Sequence, residues 1–190
     1  MILMKPKLAY VTHYYPYAGG YGNSVVSHVK LLSKHFDVYF FYLFKMKDGS
    51  CLDLSGTVSK EYRLACGFDQ VYSSAEIIRG IGGGLAPPTL AFLVLRMAWN
   101  TVGRGIPMFF APYYSGGMEK ELEKILESEK ISRVWAYGVL GGQICRNISA
   151  KHKMLYMCDS NAYLYHNLLK VERNPAIWCM MKFEIGRAHV

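Results

Sequence analysis

Three glycines near the amino terminus are the first residues whose types and spacing could do chemistry. Gly19, Gly20 and Gly22 follow a short apolar run, and Asn23 and apolar residues at helical spacing come next. A strand, a glycine turn and a helix in this order direct backbone N–H groups and the positive end of the helix dipole at one place. That place suits a phosphate or a sugar oxygen.

The spacing of the glycines leaves their role open. A dinucleotide-binding G-x-G-x-x-G pattern that starts at Gly20 needs a third glycine where Val25 stands. A phosphate-binding P-loop ends in Gly-Lys-Ser/Thr, and no lysine lies there. A glycine turn that binds nothing is the third interpretation.

Two side chains that follow apolar runs could take part in acid–base chemistry. His13 could exchange a proton near neutral pH, and Asp159 could accept a hydrogen bond from a hydroxyl or act as a base. Each also has a simpler interpretation, because a loop histidine can be incidental and Asp159 can cap the next helix. Tyr14, Tyr15 and Tyr17 could stack on a sugar or could pack the loop.

Alternating strands and helices must position these residues. Strands are predicted over Leu8 to Thr12, Asp37 to Phe44, Arg133 to Tyr137 and Met154 to Cys158, with a short one over Gln70 to Tyr72. Helices are predicted from a cap at Asn23 or Ser24, over Leu90 to Trp99, from Ser115 with Met118, Leu122 and Ile125 on one face, over Gly141 to Lys151, and from Asn161 onward. This alternation predicts an α/β fold with a doubly wound parallel sheet, which binds ligands at the carboxyl ends of its strands.

The apolar run from Leu90 to Trp99 has two interpretations. It is apolar nearly all round except at Arg96. It is also too short to span a membrane, which needs about 20 residues. We expect a buried core helix, and the alternative is a helix that lies in the membrane interface.

Two stretches of the chain together resemble glycosyltransferase family 4. Tyr10 to Phe40 (YVTHYYPYAGGYGNSVVSHVKLLSKHFDVYF) has the family's strand, its Pro-containing loop with paired glycines, its amphipathic helix and its second strand. Ser132 to Glu184 has a strand and helix, then a strand that ends in Asp159, and a late glutamate. It keeps Gly138 but carries Trp135 and Tyr137 where the family has histidines.

The resemblance implies a fold and an activity. Residues 1–184 would be a Rossmann-like domain, the acceptor-side half of the two-domain GT-B architecture. The full-length enzyme would be a retaining glycosyltransferase that moves a sugar from a nucleotide-sugar donor to a glycan, lipid-linked or small-molecule acceptor. The nucleotide-diphosphate sugar is a co-substrate, so no cofactor is expected, and we expect this chain alone to be inactive.

The expected site combines the resemblance with the residues themselves. Asp159 and His13 are the expected catalytic residues. Tyr137 could hydrogen-bond a sugar hydroxyl through its phenol. The expected substrate-binding residues are Gly19, Gly20, Gly22, Asn23, Tyr137 and Gly138.

The charge of the chain suggests an anionic partner. The formal net charge is +8 and the pI is near 9.2. No basic run with interleaved aromatics or recognition-helix motif is present, so we expect no nucleic acid partner. Phosphorylated substrates and an anionic membrane face both fit, as does a basic surface without a partner. The rival function is therefore a non-enzymatic α/β module that binds a partner or an anionic membrane surface.

The cysteines and histidines bear on location and metals. The five cysteines lack C-x-x-C spacing and no signal peptide is evident, which favours a cytoplasmic protein, peripheral on the inner membrane face in the alternative. The six histidines show no metal-ligand spacing, so we expect no metal site.

The last six residues, Ile185 to Val190 (IGRAHV), resemble the translated read-through of a sequencing adapter. We exclude residues 185–190 from the fold as an artefactual tail. We expect the natural protein to continue past Glu184.

Overall fold

The computed structural model describes residues 5–45, 51–65, 87–104, 106, 111, 114–156 and 170. The chain divides into two compact units, Met1–Asp69 with Ser115–Met157 and Gln70–Tyr114 with Cys158–Val190. Three of the predictions concern residues outside the described ones: the strand over Gln70 to Tyr72, the helix from Asn161 onward, and the site residue Asp159. The late glutamate of the family resemblance, Glu184, also lies outside them.

The first unit alternates strands and helices along the chain. Its elements are β1 (Lys7–Val11), α1 (Gly20–Ser33), β2 (Asp37–Tyr42), β3 (Lys60–Arg63), α3 (Gly116–Ser128), β4 (Arg133–Tyr137), α4 (Gly138–Cys145) and β5 (His152–Tyr156). Helix α2 (Pro87–Ala98) belongs to the second unit. All five strands pair in parallel, in the order β3-β2-β1-β4-β5. This is the doubly wound α/β, Rossmann-like fold that the sequence predicts.

The two central strands form because their residues are apolar on both faces. β1 and β2 are buried along almost their whole length, as parallel strands covered by helices on both sides must be. On one face, Tyr10, Phe40 and Tyr137 pack with Val25 and Val29 of α1. The crossovers through α1 and α4 run in opposite directions along the sheet. Because such crossovers are right-handed, the two helices cover opposite faces.

Helix α3 shows the amphipathic pattern that the sequence predicts, except that Leu126 is buried in place of Ile125. Its buried residues are Met118, Leu122 and Leu126, whereas Ile125 is only partly buried. Ser115 is its N-cap residue, although the side chain makes no capping hydrogen bond. The glutamates and lysines cover the outer side of the helix.

Two helix predictions in this unit are wrong at their amino-terminal ends. Helix α1 begins at Gly20 after an N-cap at Gly19, so Asn23 and Ser24 lie inside its first turns and do not cap it. Helix α4 begins at Gly138 directly after β4, three residues before the predicted Gly141, and ends at Cys145. In both places glycine adopts a backbone conformation that no local pattern signals.

The third strand, β3, was not predicted where it lies. Its sequence, KEYR, is charged and mostly exposed, so it lacks the apolar alternation by which strands are recognised. It pairs with β2 from Tyr39↔Lys60 to Tyr42↔Arg63 at one edge of the sheet.

The described part of the second unit contains one long helical segment. Helix α2 spans Pro87–Ala98, and a π-helix spanning Trp99–Gly103 continues it. Leu93 is buried, but Leu95 and Trp99 are 70% and 68% exposed, so the expectation of a buried core helix is wrong for this face. None of the helices within the described residues has the length and apolar content needed to cross a membrane.

Candidate functional site

The switch point of the sheet lies between β1 and β4, which are neighbours in space but not in sequence. They pair from Ala9↔Val134 to Val11↔Ala136. From β1 the chain leads to β2 on one side, and from β4 to β5 on the other. The segments that follow β1 and β4 therefore diverge at the carboxyl ends of the strands, which is where doubly wound sheets bind ligands. We call this place the crevice.

The loop after β1 is fixed by backbone hydrogen bonds to the segment that continues β2. The amide of Thr12 donates to the carbonyl of Phe41 at 2.9 Å, and that of Tyr15 to Phe44 at 2.7 Å. The carbonyl of His13 accepts from the amides of Leu43 and Phe44, at 3.1 and 3.0 Å. These bonds hold the loop at the crevice in a defined conformation.

Glycine is required where α1 begins. Gly19 has a φ of 144°, a backbone conformation that residues other than glycine rarely adopt. A Cβ on Gly22 would lie 1.8 Å from the carbonyl oxygen of Tyr17, which no other residue could tolerate. The glycines therefore fold the loop back against the first turn of α1. The amide of Asn23 donates to the carbonyl of Gly19 at 3.0 Å within that turn.

The first turn of α1 has the electrostatics of an anion-binding end. No side chain caps it by a hydrogen bond, and it contains no acidic residue. The positive end of the helix dipole is thus not neutralised locally.

His13 and Gly138 bring the two halves of the crevice together. Gly138 has a φ of 72°, and Nδ1 and Cε1 of His13 lie 3.9 Å from where its Cβ would stand. The two predicted residues, 125 positions apart, thus lie close together, and a side chain at position 138 would contact the imidazole of His13. Burial lowers the pKa of His13 to about 4. The expectation that His13 titrates near neutral pH is therefore wrong, and its imidazole is neutral at pH 7.

Tyr137 is a packing residue in the structure. It is 1% exposed, and its hydroxyl donates to Oγ of Ser24 at 3.1 Å. Its ring packs against those of Tyr10 and Tyr156, with centroids 6.0 and 5.5 Å apart. It packs α1 against β4, and the sugar contact of its phenol stays a prediction.

The tyrosines of the loop divide between the two interpretations. Tyr15 is buried and donates a hydrogen bond to Oε1 of Glu61 at 2.8 Å, so it packs the loop. Burial and the Glu61 carboxylate raise its pKa. Tyr14 and Tyr17 are only partly buried, and the Tyr14 ring meets the His13 ring edge-on at 4.5 Å. These two remain candidates for stacking on a sugar.

Sequence reasoning missed an aromatic cluster beside Tyr137. The ring of His28, one turn beyond Ser24 on α1, lies 4.5 Å from Tyr156 and 6.4 Å from Trp135. Nδ1 of His28 and Nε1 of Trp135 are buried without a hydrogen-bond partner. Burial also lowers the pKa of His28. The sequence feature that could have revealed this cluster is the apolar spacing of α1, in which His28 occupies an inward position.

A concavity elsewhere in the unit carries no predicted site residue. It lies between α4 and β5, and its lining includes Val134, Ala136 and Leu155 with Arg146 and Lys153. Nζ of Lys153 donates to the carbonyls of Arg146 and Ile148, both at 3.2 Å. The lining is mainly apolar, and we assign it no chemistry.

The described residues contain no group of three or more His, Cys, Asp or Glu that could hold a metal ion. No protein-family model, curated protein or solved structure matches this chain.

Proposed function

We propose that this chain is the acceptor-side domain of a retaining glycosyltransferase that uses a nucleotide-sugar donor. Its acceptor would be a glycan, a lipid-linked sugar or a small molecule. The observation that carries the proposal is the approach of His13 to Gly138 at the switch point of a parallel sheet. Two segments that the family resemblance selects independently meet there.

The groups around the crevice suit a neutral, hydroxyl-rich ligand. A neutral imidazole can both donate and accept a hydrogen bond, as sugar hydroxyls can. The partly exposed ring of Tyr14 offers an apolar face, and the uncapped first turn of α1 offers backbone N–H groups.

The proposed reaction breaks the bond between the sugar's anomeric carbon and the phosphate oxygen, and forms a bond to an acceptor hydroxyl oxygen. The nucleoside diphosphate leaves with the electron pair of the broken bond, and the proton of the acceptor hydroxyl passes to the base. In this proposal His13 orients the acceptor and Asp159 remains the candidate base. The donor nucleotide would be held chiefly by a second domain, as the resemblance implies.

The proposal includes a cytoplasmic location. Among the described residues, Cys145 is a free thiol. Burial raises the pKa of Cys145 to about 12, so this thiol is neutral and unreactive at physiological pH. Free thiols support a reducing compartment.

The test is a transfer assay on the polypeptide that contains this chain and the product of the coding sequence downstream of Glu184. We expect transfer from at least one uridine or guanosine diphosphate sugar, and we expect His13→Ala to raise the KM for the acceptor at least about tenfold. Gly117→Ala, on the outer side of α3, is the matched control and leaves the kinetics unchanged. A stop codon soon after Glu184, or no transfer from any donor, contradicts the proposal and favours the non-enzymatic module.

A further inference from the structure

The segment formed by α2 and the π-helix has its polar side chains turned inward. Asn100 is 3% exposed, and its Nδ2 donates to the carbonyls of Ala111 and Tyr114 at 2.7 and 2.9 Å. Arg96 donates to the same Tyr114 carbonyl through Nε and Nη2, at 3.2 and 2.9 Å. These bonds fix the rotation of the helix about its axis. The helix cannot turn its apolar side inward without leaving buried polar groups unpaired.

The opposite side of the same segment is apolar and exposed. Leu95, Trp99 and Val102 recur at helical spacing, and they are 70%, 68% and 86% exposed. We call these three residues the outward stripe. Ala91 and Ala98 beside them are also exposed. Exposed apolar side chains that line one helix face, with polar ones fixed beneath, indicate a surface that meets an apolar environment.

The charge around the outward stripe indicates what that environment is. No aspartate or glutamate occurs from Ile77 to Met118, whereas this stretch contains Arg79, Arg96 and Arg104, and the whole chain has a net charge of +8. A cationic segment with leucine and tryptophan on its exposed face has the composition of helices that lie in an anionic membrane interface. Tryptophan is also enriched at the level of lipid headgroups.

We propose that the outward stripe docks this protein peripherally on an anionic phospholipid surface. Leu95, Trp99 and Val102 enter the boundary between headgroups and acyl chains, and the exposed Arg104, together with the net positive charge of the chain, attracts the lipid phosphates. The helix lies in the plane of the membrane, because no helix within the described residues has the length and apolar content needed to cross it. The proposal is independent of sugar transfer and goes beyond it.

The experiment is flotation of the purified chain with vesicles of phosphatidylglycerol and phosphatidylcholine. We expect binding at low salt that weakens steeply as salt rises, because the attraction is screened over about 10 Å at 0.1 M ionic strength. Leu95→Ser combined with Val102→Ser should lower the vesicle partition coefficient at least about tenfold. Leu31→Ser is the matched control: Leu31 lies on α1, is 57% exposed, and should change partitioning less than twofold.

Three results would overturn the proposal. The first is that the chain does not float with anionic vesicles at low salt. The second is that the double variant floats as well as the wild type while circular dichroism shows the same helix content in both. The third is that the chain binds pure phosphatidylcholine vesicles as well as it binds the anionic ones. Sedimentation velocity without lipid tests whether a second copy of the chain covers the outward stripe instead. A dimer that the double variant dissociates, without vesicle binding, would assign the outward stripe to a second copy. Quenching of tryptophan emission by brominated lipid, lost in Trp99→Phe, would place the stripe in the bilayer.

Discussion

At the scale of single residues, the site is organised by two glycines that no other residue can replace without strain. Gly22 has the carbonyl of Tyr17 where a Cβ would stand, and Gly138 has a positive φ beside His13. The sequence showed that glycines cluster here, but the close approach that requires Gly22 depends on how the loop folds back. That approach involves the backbone of Tyr17, which no spacing pattern reveals.

Gly22→Ala should destabilise the protein strongly. The added Cβ would force α1 away from the loop, and we expect the free energy of unfolding to fall by at least about 3 kcal/mol. Gly117→Ala is the control, because its Cβ would meet only Oγ of Ser115, at 3.4 Å. It should stabilise α3 by about 0.5–1 kcal/mol. Urea unfolding of both variants measures this, and equal stability of the two would contradict the assigned role of Gly22.

His13 should make stability depend on pH. Burial lowers its pKa in the folded protein to about 4, below the ordinary value of 6.5, so only the unfolded chain takes up a proton between these values. Stability is therefore full above pH 6.5, falls as the pH is lowered towards 4, and changes no further below that through this group. The loss is at most about 3 kcal/mol.

The measurement is urea unfolding of the wild-type protein and of His13→Gln at pH 7 and pH 4. The variant should lose less stability than the wild type on acidification. A smaller dependence of the same sign remains, because burial also lowers the pKa of His28. Identical pH profiles for the two proteins would show that His13 is not desolvated as described.

At the scale of elements, the edge strand β3 is held by contacts that the sequence could not predict. Its Lys60 forms a salt bridge with Glu129, and the hydroxyl of Tyr62 donates to the same carboxylate at 2.9 Å. Lys60 and Tyr62 hold the pKa of Glu129 well below its usual range, at about 2. Glu129 lies 69 positions from Lys60, so β3 forms through long-range polar contacts while its own sequence lacks a strand pattern.

Glu129→Gln should loosen β3 while leaving the centre of the sheet unchanged. Removing the charge weakens the contact with Lys60, so we expect β3 amides to exchange with solvent at least about threefold faster. The amides of Leu8 to Val11 in β1, which are buried at the centre of the sheet, should be unaffected. Glu127→Gln, which changes an exposed carboxylate on α3, is the matched control. Equal exchange at β3 in both variants would mean that Glu129 does not hold the strand.

The elements also show why the sequence predicted the sheet better than it predicted the exposed side of helix α2. DVYFFY is apolar enough that only a buried strand accommodates it, and β2 was predicted on that basis. In α2 and the π-helix, the sequence is apolar enough to suggest core. The inward position of Asn100 depends on carbonyls 11 and 14 residues away, so the exposed side could not be predicted locally.

At the scale of the whole molecule, we expect this chain alone to bind nucleotide sugars weakly. The crevice offers a few backbone N–H groups, each worth about 0.5–1.5 kcal/mol or up to about 3 kcal/mol to a charged phosphate. Association costs at least about 4 kcal/mol before any net gain. The balance gives millimolar affinity at best, because 1 mM corresponds to about −4 kcal/mol.

The central claim is that the crevice between β1 and β4 binds the substrates of sugar transfer. An NMR titration of the isotope-labelled chain with uridine and guanosine diphosphate sugars, and with candidate glycan acceptors, tests it most directly. We predict millimolar binding, with the largest amide shift changes at His13, Gly20 and Gly138. Micromolar binding of a nucleotide sugar would contradict the assignment to the acceptor side. Shift changes confined to other parts of the chain, or none with any sugar, would contradict the claim itself.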